Sequence, residues 1–315
     1  FIKSYVSILK SKAKSMIPGI ERKDVLEALI PLPPLEEQKR IVAKIEELMP
    51  YVEKYDKAYS EVDELNKKFP EDMQKSIYEY AIKGKLVEQR EEEGTAEELY
   101  QQIQEEKERL IKEGKIKKAK KLPDITEDEI PFDIPESWKW VRLGELALYL
   151  DAGKSPNCVK QSVVSDEWGV ITTTSIQCNF FDQSQNKILP SSFDVKEDMQ
   201  VKTGDVLITR AGPTNRTGVA CFVHDITFNL ILSDKTVRVN LSDEYLDKRF
   251  ISQAINSPSI RHYIIHMMSG MDKQQVNISQ DKIRNIIIPL PPLNEQQRIV
   301  EKIEELLPYA KQLVK

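Results

Sequence analysis

Paired cysteines are missing from this sequence. Only Cys158, Cys178 and Cys221 occur in 315 residues, and no two of them form a C-x-x-C pair. Isolated thiols in odd number are typical of a reducing compartment, so we expect a cytoplasmic protein with neither a disulfide nor a zinc site. No stretch approaches the ~18 to 20 apolar residues of a membrane span, so we expect no membrane partner.

Motifs of the common catalytic centres are also missing. His262 and His266 lie four residues apart, but Tyr263 stands where a zinc protease has glutamate. The Gly153-Lys154 pair lacks the glycine that a nucleotide-binding loop carries five residues earlier, where Leu148 stands. We therefore expect a non-catalytic chain that binds no metal and no cofactor of its own.

The charge balance gives no sign of a nucleic-acid partner by itself. The formal net charge is -5, and residues 131–290 contain 17 Lys plus Arg against 18 Asp plus Glu. A basic DNA-binding protein has a clear excess of positive charge. Any affinity for DNA must therefore come from local clusters.

A long internal repeat organises the chain. The segments IPLPPLEEQKRIVAKIEELMPY (30–51) and IPLPPLNEQQRIVEKIEELLPY (288–309) differ at only four of 22 positions. In each, an apolar strand-like end is followed by a Pro-Leu-Pro-Pro segment, which cannot join a helix or a central strand, and then by a Glu- and Gln-rich helix start. The repeat predicts that a domain ends and a long helix begins, twice.

Both predicted helices carry an apolar stripe with coiled-coil spacing. We interpret the stripes as helix-pairing faces, and their central residues are Ile41, Ile45, Leu48 and Val52 in the first copy and Ile299, Ile303 and Leu306 in the second. The alternative is a helix packed on its own domain, but two near-identical stripes favour pairing with each other. Pro50 and Pro308 are expected to kink or restart the helices.

The residue pattern changes twice after the first predicted helix. Thr95 and Glu98 form a capping box that predicts a second helix through about Lys120. Its lysine-rich tail could meet phosphates, although such charge runs are usually solvated. From residue 132 to 290, short β-rich runs alternate with turn residues and with helical periodicity at 243–256 and 259–268, which predicts one α+β domain.

Loops of this domain supply the candidate DNA contacts. The strongest is GDVLITRAGPTNRTG from Gly204, because arginine matches guanine and asparagine matches adenine in bidentate geometry. A polar surface turn is the alternative reading. The complete set of candidates is Arg210, Thr214, Asn215 and Arg216, then Lys154 and Ser155, then Thr173 and Thr174, and finally Lys273, Gln274 and Gln275.

Taken together, these motifs resemble the specificity subunits of Type I restriction-modification systems. The resemblance rests on the twin segments, KFPEDMQKSIYEYAIKGKLV (68–87), KERLIKEGKIKK (107–118), IPFDIPESWKWVRLGEL (130–146) and GDVLITRAG (204–212). It implies target recognition domains joined by long antiparallel conserved helices, each domain reading one half of a bipartite site in double-stranded DNA. It also implies two modification subunits clasping the helices and additional restriction subunits, with S-adenosylmethionine, ATP and magnesium belonging to those partners.

The resemblance also implies domain boundaries. They are residues 1–30 for the tail of a first recognition domain, 31–121 for a central conserved helical region, 122–131 for a linker, 132–290 for a second recognition domain and 291–315 for the start of a distal helix. Because the sequence starts at Phe1, we expect a fragment or a processed product, and the number of half-sites that it reads alone stays open.

Two other functions are consistent with the same residues. A coiled-coil scaffold with a protein-binding globular domain would bind specific and random duplexes alike, or neither. The chain could also be the specificity portion of a fused restriction and modification polypeptide, which only flanking sequence would reveal.

Overall fold

The computed structural model describes residues 22–26 and 31–312. It divides between Leu65 and Asn66 into two compact units, which are described separately. The mixture of helices and strands confirms the predicted α+β class. Within the described ranges, none of the helices combines the length and the apolar character that a membrane crossing requires. The predicted tail of a first recognition domain, residues 1–30, lies outside the described residues except for 22–26.

Unit 1 contains helix α1 (Arg22–Leu26) and the first part of helix α2 (Leu35–Ile82). The Pro33-Pro34 pair precedes α2, and the Gln38 side chain donates to the Pro33 carbonyl at 2.7 Å. The helix continues through Pro50, so the expected restart at this proline is wrong. A proline removes one backbone hydrogen bond, which is a small part of the bonding in a 48-residue helix.

Within the part of the chain that the structure describes, unit 2 contains the rest of α2 and six further α-helices. They are α3 (Ala96–Lys112), α4 (Leu143–Leu146), α5 (Lys248–Asn256), α6 (Pro258–Met267), α7 (Gln280–Arg284) and α8 (Leu293–Gln312). The predicted capping box is present at the start of α3, where the Glu98 amide donates to Thr95 Oγ1 at 3.3 Å and the Thr95 amide to Glu98 Oε2 at 3.1 Å. The helix ends at Lys112 rather than near Lys120, because Gly114 adopts a left-handed conformation (φ 71°) that ends it.

Fourteen strands of unit 2 form small sheets within the described residues. The strands are β1 (Lys139–Arg142), β2 (Tyr149–Ala152), β3 (Trp168–Ile171), β4 (Ile176–Gln177), β5 (Phe180–Phe181), β6 (Asn186–Ile188), β7 (Val206–Thr209), β8 (Ala211–Gly212), β9 (Ala220–Phe222), β10 (Asn229–Ile231), β11 (Thr236–Asn240), β12 (Ser269–Asp272), β13 (Gln275–Asn277) and β14 (Ile287–Leu290). The strand orders are β2-β11-β7-β9, β10-β3-β6, β12-β13-β8, β1-β14 and β4-β5. All pairings are antiparallel except that of β10 with β3.

Apolar side chains cover both faces of the four-stranded sheet. Val206 and Ile208 of β7 pack in the main core with Phe250 of α5, whereas Leu207 and Cys221 belong to a second cluster. Successive residues of a strand point to opposite faces, so β7 is buried on both sides. This buried sheet is the rigid support of the loops described below.

The second copy of the repeat packs into this core. Strand β14 pairs with β1, and α8 follows so that Ile299 and Ile303 are completely buried in the main core, with Leu306 partly buried against it. The expectation that this stripe pairs with the first one is therefore wrong for Ile299 and Ile303, which pack on their own domain. Helix α8 also runs through Pro308 without ending there.

Segment 122–131, predicted as a linker, is held on unit 2 by a buried arginine. Arg142 is 2% exposed and donates to the carbonyls of Pro123 (2.7 Å) and Asp124 (3.0 Å). It also forms two hydrogen bonds with the Glu129 carboxylate, at 3.1 and 2.7 Å. These hydrogen bonds, and then that of Thr126, hold the pKa of Glu129 at about 2 despite partial burial.

We expect Glu129→Gln to lower the free energy of unfolding at neutral pH by roughly 1 to 3 kcal/mol, because a charge-assisted hydrogen bond is lost. A carboxylate with a lowered folded-state pKa stabilises above its unfolded pKa and ceases to do so as the pH falls toward about 2. The difference from the parent chain should thus shrink between pH 4.5 and 3 in urea titrations. The exposed Glu136→Gln serves as control, and a pH-independent difference would contradict the ion-pair account.

Candidate nucleic-acid interface

Two candidate loops that are distant in sequence lie side by side. Strand β8 pairs with β13, and both the amide and the hydroxyl of Thr214 donate to the Lys273 carbonyl, at 2.9 and 3.0 Å. The loop from Arg210 and the β12–β13 turn therefore form one surface. Asn215, Lys273, Gln274 and Gln275 are exposed there, and Arg210, Thr214 and Arg216 are half-buried.

A third candidate loop meets the turn between β10 and β11. The Gly153 amide donates to the Ser233 carbonyl at 3.2 Å, and the Ser155 hydroxyl contacts the Asp234 carboxylate. A Cβ atom at Gly153 would lie 1.8 Å from the Leu232 carbonyl oxygen, so only glycine permits this approach. The loop is thus fixed in place, with the Lys154 side chain exposed.

The β10–β11 turn links the three loops. On one side of the turn, the Asp234 amide donates to the Ser155 hydroxyl. On the other side, the Lys235 carbonyl accepts a hydrogen bond from the Arg210 amide at 2.9 Å. The Arg210 carbonyl in turn accepts from the Ile278 amide, immediately after β13, at 2.9 Å. Residues predicted from separate segments therefore share one face of unit 2, which we call the loop face.

A groove of about 580 Å³ lies on this face beside Ser155. Lys160, Lys187 and Lys235 line it together with Thr173. Sequence reasoning missed the three lysines, because each stands alone in its own segment and only the pairing of β3 with β6 and β10 brings them together. Thr174 is not among the lining residues, and its hydroxyl hydrogen-bonds with Thr172 (2.7 Å) and the Gln185 side chain (3.2 Å).

Arg216 has unused hydrogen-bonding capacity. Its Nη1 atom is buried without a hydrogen-bond partner among the described residues, as is the adjacent Thr217 hydroxyl. A buried donor without an acceptor costs free energy, so this nitrogen does not stabilise the fold.

Arg238 supports the loop face from beneath. It is 6% exposed, donates to both carboxylate oxygens of Asp151 at 3.1 and 2.8 Å, and reaches Asp205 at 3.2 Å. Burial raises the pKa of Asp205, although the Lys202 amide and Arg238 act in the opposite direction. Because Asp151 precedes the Gly153–Ser155 loop by two residues, this buried arginine positions that loop.

The comparison with protein families decides the class of the chain. Residues 135–312 match a family model described as the Type I restriction modification DNA specificity domain. The chain belongs to this family. The match contains the whole loop face.

Named relatives of the specificity-domain family agree with this assignment. The chain is 39% identical over 242 residues to the Type I restriction enzyme EcoEI specificity subunit of Escherichia coli, covering 76% of this chain and 41% of that protein. It is 28% identical to the EcoAI specificity subunit of the same species, covering 75% and 39%. The chain therefore spans less than half the length of these two relatives.

A solved structure supports the fold. A chain from a study of complex assembly and conformational transition of the type I R-M system has 22% identity and a TM-score of 0.52, over 99% of this chain and 62% of that chain. At this identity the likeness concerns the fold alone.

The first copy of the repeat differs from the second in exposure. Ile41, Ile45, Leu48 and Val52 of α2 are 44%, 50%, 46% and 56% exposed. Their counterparts Ile299 and Ile303 in α8 are fully buried in unit 2. Exposed apolar stripes of this length commonly mark an interaction surface. The role of the α2 stripe as a partner-helix site stays a prediction.

Proposed function

We propose that this chain supplies DNA sequence specificity to a Type I restriction-modification assembly, with residues 132–290 reading one half of a bipartite site. The observation that carries the proposal is the convergence of three loops, rich in Arg, Lys, Asn, Gln and Thr, on one rigid face. Side chains of these types read base edges and hold phosphates in the major groove.

Within the loop face we assign two roles. Arg210, Asn215 and Arg216 contact base edges, because guanidinium and amide groups match guanine and adenine. Lys154, Lys160, Lys187 and Lys235 hold phosphates, since a lysine ammonium is a point charge with little base preference. Ser155, Thr173, Lys273, Gln274 and Gln275 complete the contact surface.

The partner subunits supply the chemistry in this proposal. The exposed stripe of α2 docks the modification subunits, and restriction subunits join the assembly to cleave. Methyl transfer from S-adenosylmethionine and ATP- and magnesium-dependent cleavage then occur outside this chain. Its own contribution is to choose where they act.

We expect Arg210→Ala, Asn215→Ala and Arg216→Ala each to reduce discrimination between the cognate duplex and a single-base variant by roughly 1 to 3 kcal/mol. Methylome sequencing of cells that express the gene with its modification subunit identifies the cognate site, and titrations of both duplexes measure the change. Thermal unfolding should be little affected. The matched control, Lys85→Ala, removes an exposed cation outside the loop face.

Three outcomes separate the alternatives. A selective loss on the cognate duplex supports base reading. Equal loss on cognate and random duplexes would make the loop a phosphate contact. Failure of the parent assembly to distinguish any duplex would favour a protein-binding scaffold instead.

A further inference from the structure

A lysine-rich segment without regular secondary structure crosses the surface of unit 2. Residues 115–124, which we call the basic strap, follow the end of α3. Half-buried Ile116 and Leu122 point toward the domain, and Lys117, Lys118, Lys120 and Lys121 are exposed. For this lysine-rich segment the sequence allows two interpretations, a solvated charge run or a phosphate contact.

The strap is fixed along its length. Its start is set by the Lys115 amide, which donates to the Leu110 carbonyl at 2.9 Å. Arg284 holds the Lys120 carbonyl at 3.1 Å, and Arg142 holds those of Pro123 and Asp124. Gly144 allows the Leu122 side chain to approach, since a Cβ there would lie 2.9 Å from Leu122 Cδ1. A merely solvated charge run has no need of such anchors.

Positive charge is concentrated where the strap lies. Five lysines and no acidic residue occur between 115 and 121, and Arg284 lies beneath them. Among the described residues, no ion pair joins Lys117, Lys118, Lys120 or Lys121 to an acid, whereas Lys115 pairs with Glu113 at 2.8 Å. Burial, and then the nearby Arg284, lowers the pKa of Lys107 to about 8. Glu108 and Glu145 line the same groove as Lys118, Lys120 and Lys121 and compensate part of this charge, and a bound polyanion would compensate the rest.

The strap borders the elements that carry the loop face. A groove of about 450 Å³ separates it from the start of β2 at Tyr149 and from α7 at Gln280. Strand β2 leads to Lys154, about 17 Å away at ~3.3 Å per residue. Gln280 follows the β13 strand of the other loops by three residues. Measured along β2, Lys154 therefore lies within about five base pairs of duplex, at ~3.4 Å each, from the edge of this groove.

We propose that the basic strap is a second DNA contact, which binds the phosphate backbone beside the recognised half-site without reading bases. The inference rests on the proposed function, because it extends the same duplex from the loop face. It assigns affinity to the strap and discrimination to the loops. A protein partner with an acidic surface is the competing occupant.

The test is a salt titration of DNA binding by the full chain assembled with its modification subunits. The probe is a 40-base-pair duplex of random sequence, and the variant is Lys117→Gln, Lys118→Gln and Lys120→Gln combined. Each lost phosphate contact lowers the slope of log affinity against log salt by about 0.9, so we expect a decrease of roughly 2 to 3. The matched control replaces Lys54, Lys57 and Lys85, which are also exposed.

The outcomes are distinct. Equal weakening on random and cognate duplexes, with discrimination retained, supports the strap contact. A slope equal to that of the control overturns it, and loss of subunit assembly without a change in slope assigns the strap to a protein partner. If the loop variants still relax discrimination while the strap variant behaves as the control, only this inference fails. If neither duplex is bound by the parent assembly, the proposed function fails as well.

Discussion

Replacement of Arg238 by methionine is expected to lower the free energy of unfolding by about 3 to 5 kcal/mol, since it leaves two carboxylates without their buried partner. Arg238 forms five hydrogen bonds, including those to the carbonyls of Gln200 (2.8 Å) and Asp198 (2.6 Å). For a unit of about this size the melting temperature should fall by roughly 6 to 20 °C at ~2 to 4 °C per kcal/mol. Calorimetry of parent and variant measures the effect.

The pH dependence gives a second readout for Arg238→Met. Burial already raises the pKa of Asp205, and loss of the guanidinium raises it further. An acid with a raised folded-state pKa binds more protons when folded, so lowering the pH stabilises the folded variant relative to its unfolded state. The difference in the free energy of unfolding between the parent chain and Arg238→Met should therefore become smaller as the pH falls from 7 toward 5.

Two further variants test the specificity of this account. Arg238→Lys keeps the charge but cannot reproduce the planar fork, so it should be intermediate. Arg249→Met removes a half-exposed arginine from its pairs with Asp247 and Glu304 and should cost about 1 kcal/mol or less. If Arg238→Met were as mild as Arg249→Met, Arg238 would not be the support of the loop face.

Local signals explain what the sequence predicts well. The Thr95–Glu98 capping box depends on residues three apart and is present as expected. One of the short β-rich runs predicted between residues 132 and 290 corresponds to β7, because a buried strand is a continuous apolar run whatever its partners. Gly114 is also a local signal, but the lysines after it have good helix propensity, so the sequence predicts an end of α3 near Lys120 instead of at Lys112.

Long-range contacts explain what the sequence does not predict. Lys160, Lys187 and Lys235 share a groove only because strands from separate segments pair. The two near-identical stripes differ in burial, because Ile303 is fully buried and its counterpart Ile45 is 50% exposed. Periodicity indicates that a helix has an apolar face, but not which surface covers it.

The double substitution of Ile45→Asp with Leu48→Asp is expected to abolish assembly with the proposed modification subunits while leaving the fold of unit 2 intact. Both side chains are about half exposed, so the substitutions bury no charge within this chain, whereas a subunit packed on the stripe would have to desolvate two carboxylates. Co-expression followed by size-exclusion chromatography measures assembly. The matched control, Ala43→Asp with Lys54→Asp, places two carboxylates on the opposite, exposed face of α2, about half a turn away at ~100° per residue. Loss of assembly in the stripe variant alone would place the modification subunits on this face. Intact assembly in both variants would show that they dock elsewhere, and the apolar stripe would then need another partner.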